Sequence, residues 1–241
     1  MAAIRVEGLS KRYGPVTAVA GISFTVAAGE IVALLGANGA GKTTTLAMLL
    51  GLVVPSAGRI EILGHDMARD RFAALARMNF ASPYVALLAR LSVAENLRVY
   101  GHLYGVPRLE RRIRELAGEL DLVPLLDRPA GTLSAGQKTR LALAKALINH
   151  PAVLLLDEPT ASLDPDTADR LRGWLAAYRA ASGCTILLAS HNMTEVERLC
   201  DEVLMLREGA IVARGSPEEL CARFGRERLE AVFLDIARGA A

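Results

Sequence analysis

A chain of 241 residues, 52% hydrophobic and 22% charged, has room for one α/β domain or one domain carrying an insert, and is too apolar to be disordered. Its formal net charge of +2, from dispersed Lys and Arg, gives no argument for nucleic acid. Cys184, Cys200 and Cys221 are widely spaced with no CxxC pattern, which excludes a disulfide framework and points to reduced thiols in a cytosolic compartment.

In chain order, "MAAIRVEGLSKRYG" lacks the apolar centre of a signal peptide. Ile4–Ser10 and Ile22–Glu30 alternate with period 2 and read as strands with Gly-containing turns between them. "IVALLG" is a short continuous apolar run of the kind found in a buried strand. It leads straight into "ANGAGKTTTLAMLLGL", a glycine-rich turn and then a helix. The longest apolar stretch, Leu46–Val54, is far short of the ~20 residues a spanning helix needs, so any membrane role is expected to come through another chain. Gly58–Gly64 is a further strand. From about Leu91 to His150 the pattern turns helical, as "SVAENLRVYGHLYG", "RLERRIRELAGELDL" and "KTRLALAKALINH". This reads as a helical insert, with the cations of Arg108–Arg114 solvating a helix face. Strands return at Ala152–Asp157, Thr185–Ser190 and Glu202–Gly215, the first two separated by the helix "TADRLRGWLAAYRAA". Strands alternating with helices imply a parallel sheet. In the tail, Leu229, Val232, Phe233 and Ile236 fall on one helical stripe.

The chemistry concentrates in a few short stretches. Gly36-Ala37-Asn38-Gly39-Ala40-Gly41-Lys42-Thr43 fits G-x-x-x-x-G-K-[ST], with a strand before it and a helix after it. Glycines there let successive N–H groups point into one concavity at a positive helix end, which favours phosphate. Lys42 is placed to reach the β- and γ-phosphates and the Thr43 hydroxyl to ligate Mg²⁺. In "VLLLDEPT", Asp157 falls at the carboxyl end of a buried strand, where open sheets bind ligands. A carboxylate at that point can hold Mg²⁺, and Glu158 beside it can polarise a water. The pair is costly there unless a cation neutralises it. His191, at the end of another strand, can donate to a γ-phosphate oxygen or to that water. In "SLDPD" (Ser162–Asp166), Asp164 is an N-cap and Pro165 suits the first turn. In Leu133–Gln137, Ser134 and Gln137 fit a capping box. The same geometry leaves free N–H groups and a serine hydroxyl at a positive helix end, a second anion site inside the insert. Two phosphate-type sites in one chain suggest two chains sharing two nucleotides.

Taken in order, Gly36–Thr43, Leu133–Gln137, Val153–Glu158, Ser162–Asp164 and His191 resemble the motifs of the ATP-binding subunit of ABC transporters, and the resemblance spans essentially the whole chain. It implies an α/β fold: a P-loop NTPase core with a mostly parallel sheet, an N-terminal antiparallel β subdomain and an inserted α-helical subdomain. The implied ATPase domain covers 1–220, with the insert at about 84–150 and a helical tail at 221–241. Catalysis would fall to Glu158, His191 and Lys42. ATP would be held by Gly36–Thr43, Thr44 and Tyr13, the last matching the aromatic that stacks on adenine. Ser134, Gly136, Gln137 and Asp164 would serve the ATP of a second subunit. Mg²⁺ would be held by Thr43, Asp157 and Ser82.

The implied partners are a second ATPase subunit, most simply another copy of this chain, and a transmembrane permease, with no nucleic acid. The implied place is peripheral, on the cytoplasmic face of the cell membrane. The tail "RLEAVFLDIARG" resembles the "LEEVFL" ending of ATPases that serve exporters of drugs, lipids, polysaccharides or ions, which points to efflux. Two positions depart from the pattern. Ala135 stands where the signature usually has a second glycine. Ser82, followed by Pro83, stands where the family has a glutamine that contacts Mg²⁺ or the water, so this loop is expected to coordinate Mg²⁺ more weakly. Two rivals remain at this level: a soluble ATPase of the same type unconnected to transport, and a regulatory module that binds ATP without hydrolysing it.

Overall fold

The computed structural model describes residues 1–82, 87–161 and 163–238. The chain runs β1 (Ala2–Tyr13), β2 (Val16–Ala27), β3 (Ile31–Leu35), α1 (Lys42–Leu49), β4 (Ala57–Ile62), β5 (His65–Asp66), α2 (Arg71–Leu75), β6 (Met78–Ala81), α3 (Val93–Leu103), α4 (Leu109–Glu119), α5 (Ala135–Leu147), β7 (Val153–Asp157), α6 (Pro165–Ser182), β8 (Thr185–Ser190), α7 (Met193–Leu199), β9 (Glu202–Arg207), β10 (Ala210–Gly215), α8 (Pro217–Phe224) and α9 (Leu229–Arg238). Two sheets result. The first is antiparallel with order β2-β1-β4-β5; the second has order β10-β9-β3-β8-β7-β6. Within the second, β9, β3, β8, β7 and β6 are mutually parallel and β10 closes one edge antiparallel.

Every residue of β3, β7 and β8 is buried, as expected of parallel strands covered on both faces. Period-2 alternation divides them between two cores. Ile31, Ala33, Leu35, Leu154, Leu156, Ile186 and Leu188 join the packing of α3–α9. Val32, Leu34, Val153, Leu155, Leu187 and Ala189 face α1 and the antiparallel sheet. Register then sets the functional edge. Leu35 pairs with Ser190, Asp157 with Ala189 and Ala81 with Leu156, so the carboxyl ends of four neighbouring strands finish level.

Several readings change in detail. Glu202–Gly215 is two antiparallel strands, turned at Glu208 and Gly209, both with positive φ. The first two strands are longer than expected, because β1 and β2 continue as a hairpin to Tyr13 and Val16. Helices α2, α7 and α8 were not anticipated. The cluster Arg108–Arg114 does not all solvate a face: Arg112 is buried and its Nη2 donates to the Leu147 carbonyl at 2.8 Å, closing the C-terminal end of α5. The tail stripe packs inward, with Leu229, Val232 and Ile236 buried in the core and Phe233 against it. Among the described residues, no helix is long and apolar enough to cross a membrane.

Candidate functional site

The loop Gly36–Gly41 links β3 to α1 at that level edge. Its glycines are demanded by space and conformation. A Cβ on Gly36 would lie 2.6 Å from the Leu206 carbonyl oxygen. Gly41 has φ +102°, and a Cβ there would lie 2.6 Å from the Ala18 carbonyl oxygen. That contact also shows that the β1–β2 hairpin, whose end carries the exposed Tyr13, runs over the loop. Lys42, buried, folds onto the loop and donates to the carbonyls of Gly36 (2.5 Å) and Ala37 (3.2 Å). Burial lowers its pKa, opposed by the charges of Glu158 and Asp157. Thr43 is exposed and Thr44 half-buried.

Asp157 is buried, and burial raises its pKa, as does the Glu158 charge beside it. The Ser82 hydroxyl lies 3.5 Å from its Oδ2 and favours the ionised form. Glu158 sits in the left-handed region at φ 51°, with its N–H donating to Ala189 at 2.8 Å. This backbone turn sends its side chain toward the next strand, where Oε1 meets Nδ1 of His191 at 2.7 Å. A non-glycine held at positive φ is tolerated only where surroundings dictate it, and such residues cluster at functional positions.

The structure thus gathers Lys42, Ser82, Asp157, Glu158 and His191 at one edge. No three His, Cys, Asp or Glu side chains among the described residues form a metal cluster by themselves. A buried carboxylate with hydroxyls nearby suits instead a hard cation bound largely through phosphate oxygens.

The second predicted anion site is separate. Ser134 caps α5, its Oγ accepting from Gln137 N–H (3.3 Å) while Gln137 Oε1 accepts from Ser134 N–H (2.9 Å). The box leaves the N–H groups of Ala135 and Gly136 as first-turn donors. Gly136 lies close to Leu163: a Cβ added there would meet Leu163 Cδ2 at 3.3 Å. Asp164, next to Leu163, caps α6 by accepting from Thr167 N–H at 3.0 Å, and that bond lowers its pKa. The capping box and the Asp164 loop therefore share one surface. Among the described residues, no hydrogen bond or ion pair joins them to Gly36–Thr43. Ser162 and Pro83 lie outside the described residues. Sequence reading missed the buried Thr160, Ser190 and Glu195 behind the edge. The local signal was Asn192 followed three residues later by Glu195, a cap pattern opening the unread α7.

Comparison with known proteins gives a consistent result. Residues 19–161 match the family described as ABC transporter. The chain is 43% identical over 224 residues to the Nod factor export ATP-binding protein I of Ralstonia nicotianae, covering 90% of this chain and 68% of that protein. It is 37% identical over 234 residues to a daunorubicin resistance ATP-binding protein of Streptomyces coeruleorubidus, covering 96% and 73%. A solved structure described as the ATP-binding subunit of an ABC transporter superposes with a TM-score of 0.89 at 29% identity, covering 98% of this chain and 99% of that one.

Proposed function

The chain belongs to the ABC transporter family, and on that premise we propose that it is the ATP-binding and ATP-hydrolysing subunit of an exporter, working through a separate transmembrane subunit. Efflux is supported by the relatives named for Nod factor export and daunorubicin resistance, and by the tail at Leu229–Arg238. Membership of a family whose ATP-binding subunits work with membrane permeases supports a peripheral place on the cytoplasmic face, held there by that partner.

The observation that carries hydrolysis is the 2.7 Å contact between Glu158 and His191 beside the Lys42 loop. Loop N–H groups and Lys42 bind the phosphates, and Tyr13 stacks on the adenine. Mg²⁺, held by Thr43 and Asp157 with Ser82 beside them, would neutralise charge on the β- and γ-phosphates. Glu158 orients the attacking water and accepts its hydrogen bond. His191, with one ring nitrogen on Glu158, has the other available to the γ-phosphoryl oxygens. Phosphoryl transfer needs positioning and charge stabilisation more than covalent help, and these residues supply both.

Ser134, Gly136, Gln137 and Asp164 lie apart from this edge and act on the nucleotide of a second copy. ATP then touches both subunits only when they close, so its binding favours closure and its hydrolysis releases it. Phosphate release by the full chain, with and without Glu158→Gln, tests the enzymatic claim. The variant is expected to lose about 10²- to 10⁴-fold in kcat while still binding ATP. Equal turnover by both would overturn the assignment.

A further inference from the structure

Behind the Glu158–His191 pair lies a buried carboxylate that this mechanism does not use. Glu195, in the first turn of α7, is 0% exposed. Burying a carboxylate is costly unless it is bonded. A capping role does not account for it. Asn192 Oδ1 caps α7 by accepting from Glu195 N–H, but the Glu195 side chain does not return to the Asn192 N–H. That N–H goes to Ser190 Oγ at 3.0 Å. Ser190 Oγ in turn donates its single hydrogen to Glu195 Oε2 at 2.6 Å. Burial raises the Glu195 pKa, opposed by the Ser190 and Thr160 hydroxyls, and Oε1 has no hydrogen-bond partner among the described residues. Thr160 is two residues past Glu158, and Ser190 immediately precedes His191. All three of these inner residues are buried.

We propose that Glu195 is a positioning residue that fixes the loop bearing His191, through the Ser190 hydroxyl just before it and the Asn192 N–H just after it. The loops bearing Glu158 and His191 leave adjacent strands, β7 and β8, and the Glu158 N–H already joins them through the Ala189 carbonyl; Glu195 adds a hold on the Ser190–Asn192 turn that carries the imidazole. Held in this way, His191 keeps its 2.7 Å contact with Glu158 at the surface. This rests on the reading of Glu158 and His191 as the hydrolytic pair.

The test uses the full chain. Glu195→Leu removes the tie to Ser190 at similar volume, whereas Glu195→Gln keeps an acceptor for the Ser190 hydroxyl. Glu195→Leu is expected to lower kcat for ATP about 10- to 100-fold with KM unchanged, the effect of misplacing a reacting group by roughly 1 Å. Glu195→Gln is expected to restore most of that loss. Ser190→Ala provides the same lesion should the leucine variant not fold. Combined with Glu195→Leu, it is expected to add little, since the two act as a unit. Imidazole NMR of His191 reads the contact without turnover: its signal is expected to move on Glu195→Leu or Ser190→Ala in the direction it moves on Glu158→Gln. Wild-type kcat in Glu195→Leu or Ser190→Ala, or an unmoved His191 signal in either, would overturn the proposal. A wild-type protein with no turnover would instead remove the hydrolytic reading, leaving the imidazole signal to decide the tie.

Discussion

Glu158 and His191 are 33 residues apart in sequence and 2.7 Å apart in space, and a single backbone choice brings them together. Glu158 adopts positive φ and turns out of β7 toward β8. Asp157, one residue earlier, keeps the strand geometry and stays buried. Adjacent carboxylates thus receive different environments, one desolvated and one at the rim, as suits a cation ligand and a water-orienting base. Ser82 tests how far the Mg²⁺ shell depends on the β6 loop. Ser82→Ala is expected to hydrolyse ATP, because Glu158 and His191 remain, and an abolished rate would contradict that. Ser82→Gln, with the longer side chain typical of this family, is expected to lower the Mg²⁺ concentration giving half-maximal turnover. Gly36→Ala presses a methyl onto the Leu206 carbonyl and is expected to lose about 1–3 kcal/mol of stability, read as a lower urea midpoint.

Elements place these residues by register and by caps. Three wholly buried strands end level, and the chemistry sits at their last residues and on the loops just beyond. Two helix starts, α5 at Ser134 and α6 at Asp164, meet near Leu163 and present their first turns together. Ser134→Ala is expected to cost about 1 kcal/mol of stability through the lost cap, measured by denaturant melting, and to lower turnover by much more than that loss explains. The cap carboxylates give a pH dependence of definite sign. Asp164, and Glu95 in the first turn of α3, which accepts from the Ser92 N–H at 2.7 Å, have pKa values lowered by backbone N–H donors, so their stabilisation is present above the usual carboxylate range and is lost as the pH falls through the lowered values. In acid titrations followed by circular dichroism, Asp164→Asn, which caps without charge, is expected to show a weaker loss on acidification; an unchanged titration would contradict the cap's charge.

Elements also show where sequence reading succeeds and fails. The P-loop was legible because its glycines, lysine and threonine are fixed by local backbone geometry next to one strand and one helix. The edge at Asp157 was legible because an apolar run ending in a carboxylate has few other meanings. Glu195 was not legible, since its bond to Ser190 forms only where β8 turns into α7, a short helix with little apolar pattern of its own. Arg112 was read as surface because its neighbours are charged, yet its guanidinium reaches a carbonyl 35 residues away. The β9–β10 hairpin was read as one strand because its turn, Glu208-Gly209, is only two residues inside an otherwise continuous apolar pattern.

At the scale of the molecule, the phosphate-binding loop and the capped start of α5 lie in different places on one chain, which makes sense if each completes the site of a neighbour. That arrangement has a distinctive consequence. Chains carrying Lys42→Ala and chains carrying Ser134→Ala are each expected to be inactive alone. Mixed, they assemble pairs in which one site holds both lesions and the other holds neither, so hydrolysis is expected to return. If every site were built within a single chain, mixing would restore nothing. The most direct measurement is the mass of the Glu158→Gln protein in solution with Mg·ATP, by light scattering or sedimentation. A dimer that forms with Mg·ATP and dissociates on its removal is the predicted result. A protein that stays monomeric at saturating nucleotide, alone and with its membrane partner, would contradict the account.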